Sequence, residues 1–177
     1  MTKRRKKPRE QKRQQGGRII LPALCNVTGT LIILLVIALL LPATVSRFLG
    51  YEVYNVISGS MEPAIPVGSM VFVKPASWEE IDTGDVIAYS SEGSVITHRV
   101  VESHFVEGEF ITKGDSNNTE DLTAVPFSSL IGRVEKHIPY LGEITAMLAS
   151  PLGKIYLFAF LLCGVLFNIL AGRLRDN

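Results

Sequence analysis

The sequence predicts a mainly β fold, a small β-rich domain held outside the cytoplasm between two membrane-spanning helices. Three observations predict it. Two long apolar runs lie near the ends of the chain, one of them free of charge from Ile19 to Ser46. Between them stand short runs of Val, Ile, Phe and Tyr, punctuated by Gly, Pro, Asp and Ser. Charge is also segregated: the 177-residue chain has a formal net charge of only +1, but its basic and acidic residues occupy different segments.

Residues 1–18 carry nine Lys or Arg and one acid, Glu10. They read as a disordered basic tail held near anionic headgroups, at about 1 kcal/mol per basic residue close to the surface. Residues 19–47 read as the first span, with Pro22 and Pro42 marking its ends. A spanning helix needs about 20 apolar residues, and the centre "TLIILLVIALLLPATV" leaves room to spare. A cleaved signal peptide is the competing reading, because a basic start and then "PATVS" resemble one. The uncharged stretch is too long for that, and a second span favours a permanent anchor. Basic residues mark the cytoplasmic side, so the N-terminus is expected there.

Residues 48–143 read as the β-rich domain. "YEVYNVIS", "SMVFVKP", "DVIAYS", "SVITHRVV" and "GEFITKG" are strand-like, and "VEGEF" places a hairpin turn at Gly108. Residues 50–150 hold fifteen acids against five Lys or Arg, a net of −10. A basic tail and an acidic middle fit opposite faces of a bilayer and argue against nucleic-acid binding. Residues 144–172 read as an interfacial lead-in followed by the second span, "IYLFAFLLCGVLFNILAG", where a buried soluble helix is the alternative. Residues 173–177 return the C-terminus to the cytoplasm. Cys25 and Cys163 lie inside the apolar runs and read as small hydrophobes, offering neither a disulfide framework nor a metal knuckle.

Ser60, in "NVISGSMEPAIPVGS", sits in a tightly punctuated turn soon after the first span. It is thirteen residues beyond Arg47, at most about 45 Å of chain. A serine hydroxyl becomes a nucleophile only when a base takes its proton. Three histidines are available. His98 is flanked by strand-like residues, His104 lies near a hairpin, and His137 lies just before a proline. Rigidity favours His98, although a strand histidine is more often structural. A histidine base needs an orienting acid, and "TKGDSNNTEDL" supplies Asp115 and Asp121. A calcium loop is the rival reading of that segment, but it lacks the required glycine and terminal glutamate. Gly59 permits close backbone approach, and backbone N–H groups at such a turn, with the Ser58 hydroxyl, suit an oxyanion. Met61, Ile65 and Val67 either line substrate pockets or belong to the core. Asn117-Asn118-Thr119 matches a glycosylation acceptor, a pattern too short to carry weight. Neither a metal-binding HExxH nor a phosphate-binding loop occurs, so no cofactor and no metal are expected.

"SGSMEP", "THRV" and "TKGD", in that order between two apolar segments, resemble the type I signal peptidases. They are most similar to the branch of the endoplasmic reticulum, archaea and some spore-forming bacteria. The resemblance covers roughly residues 30–140. It implies Ser60 as nucleophile and His98 as base, where most bacterial and organellar relatives use lysine. It also implies that one of the two loop acids orients the histidine. An ungapped match from "TKGD" favours Asp121 and leaves Asp115 a supporting role, with the choice open. The substrates implied are signal peptides of secreted preproteins, with small side chains one and three positions before the cut. An edge strand, "SMVFVK" or "YNVISGS", would bind them by β-addition. Association with the export machinery is a further implied partnership. The alternatives are a non-catalytic membrane-anchored assembly or adhesion protein, and a protease dedicated to one surface or spore-coat protein. A histidine base makes activity fall as pH drops below about 6.5, the reference imidazole value. A rate profile of the purified protein that stays flat from pH 5 to 8 would contradict it.

Overall fold

The computed structural model describes residues 8–176. Residues 1–7, part of the tail read as disordered, lie outside the described residues. Two compact units emerge, one of residues 41–147 and one of the flanking segments up to 40 and from 148.

The first unit contains a single antiparallel sheet of seven strands in the order β1-β2-β7-β3-β4-β5-β6. The strands are β1 (Glu52–Asn55), β2 (Met70–Pro75), β3 (Val86–Ser91), β4 (Ser94–His104), β5 (Glu109–Lys113), β6 (Val125–Pro126) and β7 (Leu130–Ile138). The expected mainly β architecture is therefore present. β3 and β4 form a tight hairpin through Glu92 and Gly93, both with positive φ, as a two-residue connection matching strand twist requires. Gly108, at φ +74°, closes the β4–β5 hairpin where the sequence placed a turn.

β7 was not anticipated, although it joins β2 to β3 and so holds the sheet together. Its charged residues and Gly132 hide it. That glycine is obligatory: a Cβ there would lie 2.1 Å from the Lys74 carbonyl oxygen. β2 is paired on both sides, whereas β1 is an edge strand. Of the two segments proposed for β-addition, only the one containing β1 offers a free edge.

Alternation along the strands feeds two apolar clusters. Ile81, Ile87, Tyr89, Val100, Phe110 and Val125 form one. Met61, Ile65, Val71, Val73 and Ala88 form the other. β3 contributes to both, Ile87 and Tyr89 to the first and Ala88 to the second. The first cluster extends outward through Phe127, on which Trp78 stacks at 4.9 Å between ring centroids.

In the flanking unit, α1 (Pro8–Phe48) and α3 (Pro151–Asp176) contain stretches apolar and long enough to cross a membrane, Ile20–Pro42 and Pro151–Arg175. α1 starts at Pro8, so residues 8–18 of the segment read as disordered are helical here. Gln, Lys, Arg and Glu all favour helix, and Pro suits a first helical position. The helices meet at Gly29 and Gly164. A Cβ on Gly29 would lie 2.6 Å from the Gly164 carbonyl oxygen. Small residues allow this backbone approach, the usual packing device of apolar helices in lipid. The segment expected as an interfacial lead-in contains a short helix, α2 (Leu141–Ala149), most of which belongs to the unit of residues 41–147.

Phe110 is fully buried (0% exposed) in the first cluster. Phe110→Ala is expected to destabilise the domain by about 3–5 kcal/mol. Denaturant titration in detergent, followed by fluorescence of the lone tryptophan Trp78, checks this.

Candidate active site

β4 carries the central histidine. Ile87 of β3 pairs with His98, and Thr112 of β5 pairs with Val100. Side chains two apart share a face, so His98 shares its face with Ile96 and Val100 of the first cluster. His98 is only 9% exposed, and its imidazole meets Tyr89 edge-on at 6.4 Å. Its position is fixed by the sheet, not by a mobile loop.

His98 Nδ1 lies 2.5 Å from Asp121 Oδ2. The same carboxylate oxygen accepts a hydrogen bond from the Thr112 hydroxyl at 2.7 Å, and the Asp121 N–H donates to the Thr112 carbonyl at 2.8 Å. Asp121 is thus fastened to β5 at both backbone and side chain. Burial pushes the nearby Tyr89 phenol above its ordinary value, opposed by the Thr112 hydroxyl and reinforced by the Asp121 charge. Tyr89 therefore stays protonated and neutral beside the pair.

Asp115 does something else. Arg99 Nε and Nη2 donate to its two carboxylate oxygens at 2.8 and 2.6 Å, a bidentate pair, while Arg99 Nη1 donates to the Gly84 carbonyl at 2.7 Å. Its hydrogen bonds to the Asp115 carboxylate hold the guanidinium above its usual range. Adjacent strand residues point to opposite faces, so His98 and Arg99 address different acids in one loop.

The turn that carries Ser60 reaches the same place. A Cβ on Gly114 would lie 2.6 Å from the Ser60 carbonyl oxygen and 3.1 Å from His98 Nε2. The free edge of the imidazole and the Ser60 backbone therefore border one small volume. The Ser116 N–H donates to the Ser60 carbonyl at 2.9 Å, and its hydroxyl lies 2.9 Å from the Gly59 and 3.0 Å from the Ser60 carbonyl oxygens. No hydrogen bond joins the Ser60 hydroxyl to His98 among the described residues. Such contacts commonly tighten only with substrate bound.

Ser58 is exposed, and Ser60 and Gly59 are half-buried. Met61 and Ile65 lie in the second core cluster, where they anchor the turn, whereas Val67 is exposed. The other histidines sit elsewhere. His104 faces Glu102 and Glu109, and His137 is exposed on β7. A non-catalytic reading predicts that Ser60, His98 and the loop acids lie apart; Asp121 is within hydrogen-bond reach of His98 and the Ser60 backbone borders the same ring, whereas Asp115 is held by Arg99. Sequence reasoning missed Ser116, Thr112 and Arg99. All three lie inside the quoted motifs, but what Thr112 and Arg99 touch depends on strand register.

A cavity of about 390 Å³ opens beside His98 and Asp121, lined also by Tyr89, Ile96 and residues 122–126. The two aspartates of the loop are already engaged, Asp115 by Arg99 and Asp121 by His98 and Thr112. Such a donor set suits proton transfer better than cation binding.

No family model matches the chain. Curated relatives do. The signal peptidase complex catalytic subunit SEC11 of Komagataella phaffii is 32% identical, the match covering 54% of this chain and 65% of that protein. The SEC11 of Lodderomyces elongisporus is 34% identical over 54% of this chain and 64% of the relative. The human catalytic subunit SEC11C is 30% identical over 52% of this chain and 55% of the relative. The chain thus spans between about half and two thirds of the length of the curated relatives it matches.

Gly114→Ala places a methyl against backbone oxygen, which cannot swing away. Displacements near 1 Å at a reacting centre cost about 10²-fold. The variant is expected to lose activity on that scale, in a turnover assay with a peptide substrate, while remaining folded by circular dichroism.

Proposed function

The chain is homologous, over about half its length, to signal peptidase complex catalytic subunits, and from that premise we propose that it is a membrane-bound serine endopeptidase. Its substrates are the signal peptides of exported preproteins, cut at the outer face of the membrane. The observation that carries this reading is the His98–Asp121 pair, with the free ring nitrogen facing the Ser60 turn.

The reaction is acyl transfer. Ser60 Oγ attacks the scissile carbonyl carbon while His98 Nε2 takes its proton. Asp121, on Nδ1, holds the ring in the tautomer that leaves Nε2 free and stabilises the imidazolium. The Ser60 N–H, which has no partner among the described residues, and the exposed Ser58 hydroxyl receive the developing oxyanion. His98 then returns the proton to the leaving amine, and water, activated by the same ring, releases the acyl group. Asp115 shapes the loop through Arg99 and does not orient His98. The edge strand β1 takes the extended segment of substrate before the cut by β-addition.

Two apolar helices fit membrane anchoring. We place both termini in the cytoplasm and the β domain outside it, in the cell membrane or, in a eukaryote, the membrane of the endoplasmic reticulum. Charge supports this, with a basic N-terminal segment and an acidic middle. An apolar signal core in lipid would present its cleavage site near the membrane surface.

Cleavage of a preprotein in detergent tests the reading. Ser60→Ala should abolish product, and full activity in that variant rejects the mechanism. Asp121→Asn should lower the rate by about 10⁴ through the wrong tautomer. Asp115→Asn should cost far less, and the reverse order of the two would give Asp115 the orienting role.

A further inference from the structure

Resting on the reading of Ser60 as nucleophile, we propose that Ser116 is a positioning residue that aims the oxyanion donor of the nucleophile turn. Ser116 lies in the loop between β5 and β6, four residues after Thr112 and five before Asp121. It reaches across to the turn with two groups. Its N–H donates to the Ser60 carbonyl, and its hydroxyl lies within hydrogen-bond distance of the Gly59 and Ser60 carbonyls, 2.9 and 3.0 Å away.

A hydroxyl has one hydrogen to donate, so it is shared between two acceptors or held by either. Both arrangements fix the direction of successive carbonyls. A trans peptide is planar, with its C=O and N–H pointing in opposite directions. Turning the Gly59 carbonyl toward the 114–121 loop therefore turns the Ser60 N–H away from it. That N–H, unpaired among the described residues, is the group that must face a developing negative charge. Oxyanion donors act because they are aimed before the reaction begins, and Ser116 supplies the aim. The turn contributes its own part, since Glu62 N–H also donates to the Gly59 carbonyl at 3.1 Å. Ser116 adds the link between that turn and the loop that carries Asp121, so nucleophile and base share one frame.

The bland reading is that Ser116 merely glues two loops. The two readings differ in what they move. Ser116 is exposed, and removing its hydroxyl leaves the backbone N–H bond and opens no buried hole. Aiming a donor affects transition-state binding more than ground-state binding, so kcat changes and KM does not.

The test compares wild type, Ser60→Ala, Ser116→Ala and Ser116→Thr in full-length protein in detergent, on a preprotein-derived peptide. Ser116→Ala is expected to lower kcat about tenfold, with KM, melting temperature and the acid limb of the pH profile unchanged. A peptide aldehyde, whose adduct with Ser60 presents an oxyanion, should bind Ser116→Ala more weakly by the same factor. Ser116→Thr, which keeps the hydroxyl, should restore both. An unchanged kcat in Ser116→Ala, with Ser60→Ala inactive, overturns this proposal alone. A kcat loss that tracks a fall in melting temperature and is not restored by threonine overturns it in favour of glue. A shifted acid limb overturns it in favour of action through His98. Retained activity in Ser60→Ala overturns both the proposal and the function it rests on.

Discussion

One close approach governs the rest: the backbone of Ser60, the edge of the His98 ring and the Cα of Gly114 meet with no room for a side chain. Serine and imidazole come from elements nearly forty residues apart along the chain, and neither reaches the other through its own element. The loop after β5 brings them together. It contributes Gly114 as the space between them, Ser116 as the tie to the turn, and Asp121 as the brace on the far side of the ring. Any residue larger than glycine at the junction forces one of the partners away. The candidate site is therefore a property of that loop as much as of the residues that would carry the chemistry.

The sheet makes the loop dependable. β4 and β5 are neighbours, so His98, Val100 and Thr112 share a face, and Thr112 takes hold of Asp121 twice. On the opposite face Arg99 clamps Asp115, at the beginning of the same loop. The loop is pinned at both ends by consecutive residues of one strand, each using the direction the pleat gives it. Met61 and Ile65 do the equivalent for the Ser60 turn, burying apolar side chains in the second cluster and leaving Ser60 at its rim. Charge-assisted pairs and buried anchors together hold the groups before any substrate arrives, as preorganised catalysis requires.

Much of this was legible in the sequence where local chemistry and final role coincide. Short runs of β-branched and aromatic residues became β1 to β5, and Gly108 became the hairpin turn. His98 stood out because strand-like residues flank it. Other features were not legible because they depend on what lies opposite. β7 carries Gly132, Arg133, Glu135 and Lys136, a poor strand by composition, and is a strand because β2 and β3 flank it. The ungapped match favoured Asp121 over Asp115 but left the choice open. Their partners are separated by strand parity, which sends residues 98 and 99 to opposite faces. At Gly114 only the packed structure reveals that the missing side chain is the point. Met61 illustrates the same limit, since the motif that flags it says nothing of which side of the turn it buries.

The central claim, that His98 acts on the side chain at position 60, can be tested without any substrate. In a Ser60→Cys variant, with Cys25 and Cys163 replaced, the rate of alkylation can be followed against pH by mass spectrometry. A thiol beside an imidazole ionises well below the ordinary value of about 8.5. The account predicts rapid alkylation of residue 60 near neutral pH, and a return to ordinary thiol behaviour when His98→Ala is added. Ordinary thiol behaviour with and without His98 would contradict it.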